Sequence, residues 1–120
     1  MVKKGWGRIV NFTGMNAIHG YAGRAPVSVA KHGVWGLTKS LAKEFGPRGI
    51  TVNAISPGPI ASDVEEDDAS SHHRQQTVAK VPLGRMGTPV EVAATARLLI
   101  SEGGAYINGQ MIQVNGGAET

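Results

Sequence analysis

The sequence predicts an α/β fold, namely a β-α-β-α-β part of a doubly wound parallel sheet with helices on both faces. Three short apolar runs, each bounded by glycine or proline, alternate with two longer stretches whose apolar residues recur at helical spacing. Strands joined by helix-sized crossovers pair in parallel, and such alternation is typical of layered α/β sheets. We therefore expect the 120 residues to form one partial domain with three incomplete layers.

The first predicted strand covers Gly7 to Phe12 and ends at the turn Thr13-Gly14. This run is almost continuously apolar, as in strands that have a neighbour on each side. The sequence before it contains no segment that could serve as the outer neighbour. We therefore expect the outer edge of this strand to be open.

A helix and a second strand follow. Apolar residues at helical spacing predict a helix over 27–45, which Gly46-Pro47 ends. The β-branched run 50–55 predicts the second strand, and it is bounded by Gly49 and by the segment 57–59, Pro-Gly-Pro.

The segment 61–87 has no sustained apolar periodicity and is predicted to be a lid-like loop region. Thr88-Pro89-Val90-Glu91 then matches a capping box with proline at the first helical position, which predicts a helix ending near Gly103-Gly104. The run 110–114 is the third predicted strand, ended by the glycines at 116 and 117.

Composition excludes several classes of function. The formal charge is +3, but the basic residues are scattered, so no nucleic-acid surface is predicted. The absence of cysteine excludes disulfides and thiolate sites, and no apolar stretch is long enough to span a membrane, so a cytoplasmic location is expected. A charge run in a loop is usually solvated, so no metal site is predicted for Asp63, Glu65, Glu66, Asp67, Asp68, His72 and His73.

Five motifs in consistent order resemble the short-chain dehydrogenase/reductase family: 7–14, 30–36, 47–53, 57–60 and 109–117. The resemblance covers almost the whole chain and implies the C-terminal half of a Rossmann-like domain, with the family's last three strands. It also implies that the half carrying the glycine-rich dinucleotide turn and the catalytic asparagine is absent, so the chain is expected to be a truncated homologue.

The resemblance places the family's catalytic Tyr-x-x-x-Lys pair at Val27 and Lys31, so the lysine is kept and the tyrosine is lost. The family's serine falls on Gly14. Valine and glycine have no group that could donate a proton or stabilise developing charge, so we expect a catalytically inactive chain. Thr13 should point to the other side of its strand, and Tyr21 lies on a loop, so neither is expected to substitute.

Some cofactor-side positions persist in the resemblance. In the family, the loop after the sixth strand contacts the nicotinamide end of NAD(P), and here it contains Pro57, Gly58, Ile60 and Ser62, while Lys31 would contact the ribose. We interpret these residues as parts of an inherited turn and not as a working cofactor site. Half a site bears most of the entropic cost of association but makes only part of the contacts. Weak or no NAD(P) binding is expected, and neither the substrate nor a choice between NAD and NADP follows from the sequence.

Three functions remain open at this point. The favoured one is a non-catalytic remnant, the second is an oxidoreductase subunit completed by another chain, and the third is a binding or regulatory module that assembles with full-length relatives. The resemblance implies a homo-oligomer formed through the helix 27–45 and the helix and strand within 88–114, because the family's two-fold contacts use these segments.

Overall fold

The computed structural model describes residues 1–61 and 68–119. Its sheet has three parallel strands in the order β1 (Gly7–Phe12), β2 (Ile50–Pro57) and β3 (Met111–Val114). The three predicted strands and their parallel pairing are therefore confirmed. The first two strands start where the sequence indicated, because Gly7 begins an apolar run and Gly49 turns the chain into β2 with a φ of 74°.

The two main helices pack on opposite faces of this sheet. Helix α1 (Ala25–Phe45) covers one face, where Ala42, Ile50 and Val52 form a buried cluster. Helix α3 (Pro89–Ile100) covers the other face, where Ile55, Val92 and Leu99 are buried together. The predicted three-layer α/β arrangement is confirmed. None of the described helices is both long and apolar enough to cross a membrane.

Helix α3 begins with the predicted capping box. The Glu91 amide donates to the Thr88 hydroxyl at 3.3 Å, and the Thr88 amide donates to the Glu91 carboxylate at 2.8 Å. Arg85 donates two hydrogen bonds to the same carboxylate, at 3.0 and 2.6 Å. The hydrogen bond from Arg85 and the Thr88 amide lower the pKa of Glu91 to about 2.

The loop predicted over 61–87 is wrong in part, because it contains a helix, α2 (Asp68–Val78). The sequence of α2 has only two apolar residues, Ala69 and Val78, so an apolar stripe could not reveal it. The acidic positions 63–67 lie outside the described residues, so the expectation of a solvated charge run stays a prediction.

Two asparagine side chains connect the segment before β3 to β2 by hydrogen bonds. Asn53 is 1% exposed, and its amide donates to the Ile107 carbonyl at 2.7 Å while its oxygen accepts from the Gln110 amide at 2.9 Å. Asn108 accepts from the Val52 amide at 2.9 Å. Because both side chains bond to backbone groups, they fix the position of β3 beside β2.

The outer edge of β1 is open within the described part of the chain, as the sequence predicted. β1 pairs with β2 alone, and it stands at the end of the strand order. Phe12 is 50% exposed, and Trp6, just before the strand, is 49% exposed. The backbone and the apolar side chains of this edge are therefore accessible.

Candidate functional site

The three positions that the resemblance assigns to proton chemistry lie near the carboxyl end of β1. Val27 is in the first turn of α1 and is 38% exposed. Lys31 follows one turn later, and its Nζ donates to the Phe12 carbonyl at 3.2 Å. The retained ammonium is thus held by the backbone of β1, with no phenol beside it on the helix.

Gly14 has a backbone conformation that favours glycine. Its φ is 138° and its ψ is 172°, a region that L residues with a side chain rarely adopt. No atom lies within 4 Å of where a Cβ would stand, so the obstacle to a serine here is backbone strain rather than lack of space.

Thr13, the hydroxyl residue next to Gly14, is used inside the sheet. It is 5% exposed, and its amide and its Oγ1 both donate to the Ile55 carbonyl, at 2.9 and 3.1 Å. Its Oγ1 also lies 3.3 Å from the Met111 sulfur. This hydroxyl stabilises the junction of the strands and is not presented to a substrate.

Tyr21 is bound to the far end of the described chain. Its hydroxyl donates to Glu119 at 2.9 Å, and the Nε2 atom of His19 contacts the same carboxylate. Burial, followed by the hydrogen bond and charge of Glu119, raises the pKa of Tyr21. The family's tyrosine needs the opposite shift, so the electrostatics do not favour Tyr21 as a replacement acid-base group.

Packing explains the residues found at the positions where the resemblance expects contacts with NAD(P). Pro57 ends β2, and a Cβ on Gly58 would stand 2.6 Å from Asn115, so close approach of two backbones requires this glycine. Ile60 packs against the cluster around Ile55, beside α3. Ser62 lies outside the described residues, so its proposed contact stays a prediction.

The described residues fit only a small part of a dinucleotide. Lys31 could meet a ribose hydroxyl, and the turn after β2 offers backbone groups. The connection from β1 to α1 runs over 13–24 and is not a short glycine-rich turn into a helix N-terminus, the feature that binds a pyrophosphate. The donor set therefore supports one ribose contact and no pyrophosphate cradle among the described residues.

A cavity of about 520 Å³ lies elsewhere, between the segment before α3 and the end of β3. Its walls include Arg85, Glu91, Gln113 and Asn115, and its lining does not include Gly14, Val27 or Lys31. The two charged side chains in the lining of this cavity, Arg85 and Glu91, form an ion pair with each other. The cavity therefore does not extend the site around Lys31.

The histidines of the described chain do not form a metal site. Among residues 1–61 and 68–119, no three His, Asp or Glu side chains converge as metal ligands. His32 Nδ1 contacts the Ser28 carbonyl at 2.9 Å, one helical turn away. The contact of His19 and Tyr21 with Glu119 was not predicted, because no local pattern connects residues separated by 98 positions or more.

Comparison with known proteins gives a consistent picture. A family model described as enoyl-(acyl carrier protein) reductase matches residues 1–119. The chain is 44% identical over 117 residues to a 3-oxoacyl-(acyl-carrier-protein) reductase FabG of Aquifex aeolicus. It is 41% identical over 121 residues to nodulation protein G of Azospirillum brasilense. Each match covers 98% of this chain and 47% of the relative, so the chain spans about half the length of the curated relatives it matches.

Solved structures show the same half-length correspondence. A putative 2-deoxy-D-gluconate 3-dehydrogenase from Agrobacterium tumefaciens, solved with bound NADP, superposes with a TM-score of 0.89 at 35% identity. An acetoin dehydrogenase from Salmonella typhimurium superposes with a TM-score of 0.81 at 34% identity. Both matches cover 98% of this chain, and they cover 48% and 45% of the solved chains.

Proposed function

This chain belongs to the short-chain dehydrogenase/reductase family, and we propose that it is a truncated homologue that does not catalyse hydride transfer by itself. The observation that carries the proposal is the chemistry of two positions. Where the family has a tyrosine and a serine, this chain has Val27 and Gly14, and the backbone of Gly14 favours glycine. Lys31 alone has no proton donor to assist.

The test is an activity assay of the purified 120-residue chain with NAD(H) and NADP(H). Carbonyl substrates named in its relatives, a 3-oxoacyl thioester and acetoin, serve as probes. No turnover above background is expected. Turnover that Lys31→Ala abolishes and Lys39→Ala leaves intact would contradict the proposal, because Lys39 is a lysine of the same helix that stacks on Trp35 instead.

Restoring the two side chains separates the defects. We expect the double variant Gly14→Ser, Val27→Tyr to remain inactive, since a serine is strained at position 14 and the described residues lack a pyrophosphate cradle. Activity in this variant would show that the chemistry requires only the two hydroxyls.

NAD(P) binding should be weak for the same reason. A lone ribose contact at Lys31 supports dissociation constants at or above about 1 mM, which corresponds to only ~4 kcal/mol of binding free energy. Calorimetry with NAD(H) and NADP(H) measures this directly. A micromolar dissociation constant that survives Lys31→Ala would place a cofactor site elsewhere and contradict the assignment.

A second candidate function, a subunit completed by another chain, is favoured by the open edge of β1. The chain spans about half of its relatives, and a partner carrying the dinucleotide-binding half would pair with this edge. That partner would also have to supply the hydroxyl donors. Co-expression with a polypeptide containing a glycine-rich βαβ segment should then give micromolar NADP binding and carbonyl reduction, and failure of both would exclude this candidate.

A binding or regulatory module that assembles with full-length relatives is the third candidate. The exposed apolar residues Val29 (74%) and Leu37 (51%) on α1, and Val90 (74%) on α3, support association through these helices. We propose a homo-oligomer located in the cytoplasm. Loss of the larger species in Leu37→Arg, measured by sedimentation, tests the helix contact, and cell fractionation tests the location.

A further inference from the structure

The geometry of β1 points to an interaction surface beyond the proposed function: we propose that the open edge of β1 pairs with β1 of a second copy of this chain. The two strands would run antiparallel across a two-fold axis at Val10, and the two three-stranded sheets would join into one. This contact is separate from the helix contacts discussed above and does not depend on whether the chain is catalytic.

The backbone of β1 presents the groups that such pairing needs. Gly7 and Thr13 donate their amides to Gly49 and Ile55, so the odd-numbered residues of this stretch face β2. By the alternation of a parallel ladder, Arg8, Val10 and Phe12 direct their backbone N–H and C=O groups outward. The bond from Lys31 Nζ to the Phe12 carbonyl agrees with this direction.

The outward residues are self-complementary about Val10. With the two-fold axis there, Val10 faces Val10, and Arg8 of each strand faces Phe12 of the other. All three are in hydrogen-bonded positions of an antiparallel pair, where the two residues exchange both backbone bonds. The Phe12 carbonyl has a second lone pair, so it can accept from an Arg8 amide while it keeps the bond from Lys31.

The side chains at this edge suit the same partner. Arg8, Val10 and Phe12 are in register with alternate residues of β2, so they share one face of the sheet. The Arg8 guanidinium lies 4.9 Å from the centroid of the Trp6 ring. In the paired state the half-exposed Phe12 ring of the second copy can cover this guanidinium, which is a cation–π contact on each side of the axis.

Charge does not oppose the pairing. Arg8 is the only charged residue in β1, and the strand has no lysine, proline or bulge to prevent edge pairing. The two Arg8 residues would stand four positions apart along the paired strands, or about 13 Å, which exceeds the Debye length of ~8 Å at physiological salt. A closed two-fold pair covers both edges at once, so it ends the association instead of propagating it.

The first experiment uses sedimentation of the 120-residue chain and charge variants at β1. Phe12→Arg places arginine opposite Arg8 at both contacts and should weaken self-association about ten-fold or more, because like charges directly opposite are destabilising. Adding Arg8→Glu should restore association, since each Glu then faces an Arg. Leu83→Arg, at an exposed position (68%) outside β1, α1 and α3, is the matched control and should leave the β1 pair intact. Circular dichroism checks that each variant folds.

The second experiment uses cysteine crosslinking, which is direct because the chain contains no cysteine. Arg8→Cys and Phe12→Cys are made as separate chains. Directly opposed residues lie within disulfide reach, with Cα atoms about 5.5 Å apart. Oxidation should crosslink the mixture of the two chains and crosslink neither chain alone.

Three outcomes would overturn the proposal. The first is a folded wild-type monomer at tens of micromolar. The second is a Phe12→Arg variant that associates as strongly as wild type. The third is crosslinking of each single-cysteine chain alone to the same extent as the mixture. None of them bears on turnover, so the activity assay decides the proposed function independently.

Discussion

The two flanks of β2 differ in how completely their polar groups are partnered. On the flank of β3, Asn53 and Asn108 bond to backbone groups and close the seam between the strands. On the flank of β1, the outer edge is open, and Gly14 and Val27 stand where the family resemblance places hydroxyl groups. The chain therefore keeps the hydrogen bonds that join the segment before β3 to β2, whereas the hydroxyl groups that the resemblance expects belong to the other flank.

The largest effect on stability is expected on the flank of β2 that faces β3. Asn53→Ala leaves the Ile107 carbonyl and the Gln110 amide without their partner, and two part-buried unsatisfied groups should lower the free energy of unfolding by about 3 kcal/mol. Denaturant unfolding measures the loss. Gln110→Ala removes an exposed side chain and should change stability by less than ~0.5 kcal/mol. Equal losses in the two variants would mean that the seam is not specifically stabilised by Asn53.

An intermediate effect is expected at Gly14. Gly14→Ser forces a side-chain residue into a φ of 138° and should cost about 2 kcal/mol in the free energy of unfolding. Gly20→Ser is the control, because that glycine is exposed, is not among those with positive φ and has open space around its Cβ direction. A Gly14→Ser variant as stable as wild type would show that the segment relaxes easily and would weaken the contrast between the flanks.

A smaller effect on stability is expected at the start of α3, where the capping box provides hydrogen-bond partners for backbone amides. Thr88→Ala removes the acceptor for the Glu91 amide and should cost about 1 kcal/mol in the free energy of unfolding. Thermal unfolding compared with Ser40→Ala, an exposed serine in the interior of α1, gives the measurement. If both changes had the same small effect, the capping box would not contribute to stability.

The smallest effect concerns pH. The pKa of Glu91 falls from 4.5 to about 2 on folding, so its ion pair with Arg85 stabilises the fold above pH 4.5 and loses this contribution as the pH falls toward about 2. Glu91→Gln should therefore show a shallower decline of melting temperature across this interval than wild type. Glu44→Gln, on α1, serves as the control. Identical slopes for wild type and Glu91→Gln would indicate that the pair is too well solvated to matter.

The sequence predicted the elements whose signals are local. The apolar stripe of α1, the capping box at Thr88 and the run Gly7 to Phe12 each specify a structure through neighbouring residues. Helix α2 escaped prediction because its sequence offers two apolar residues and no stripe. The formation of this helix depends on its tertiary surroundings, which hydrophobic periodicity does not report.

The resemblance assigns the positions of the candidate site, and it does not predict their geometry. The assignment of Gly14, Val27 and Lys31 rests on the spacing of the family motifs and stays a prediction. No local pattern could indicate that Lys31 bonds to the Phe12 carbonyl or that Tyr21 bonds to Glu119. The partners in these two contacts are separated in the sequence by 19 and 98 positions, respectively. The conformation of Gly14 was equally hidden, since glycine is compatible with many backbone angles and the sequence does not state which one is used.

The backbone angle at Gly14 also bears on how this chain could change over generations. A single substitution to serine would supply the hydroxyl that the resemblance expects here, but the serine would meet a conformation unfavourable to any side chain, so selection for stability would oppose it. The connection from β1 to α1 would have to relax before a side chain could be accommodated at this position. A hydroxyl at this position is therefore easier to lose than to gain.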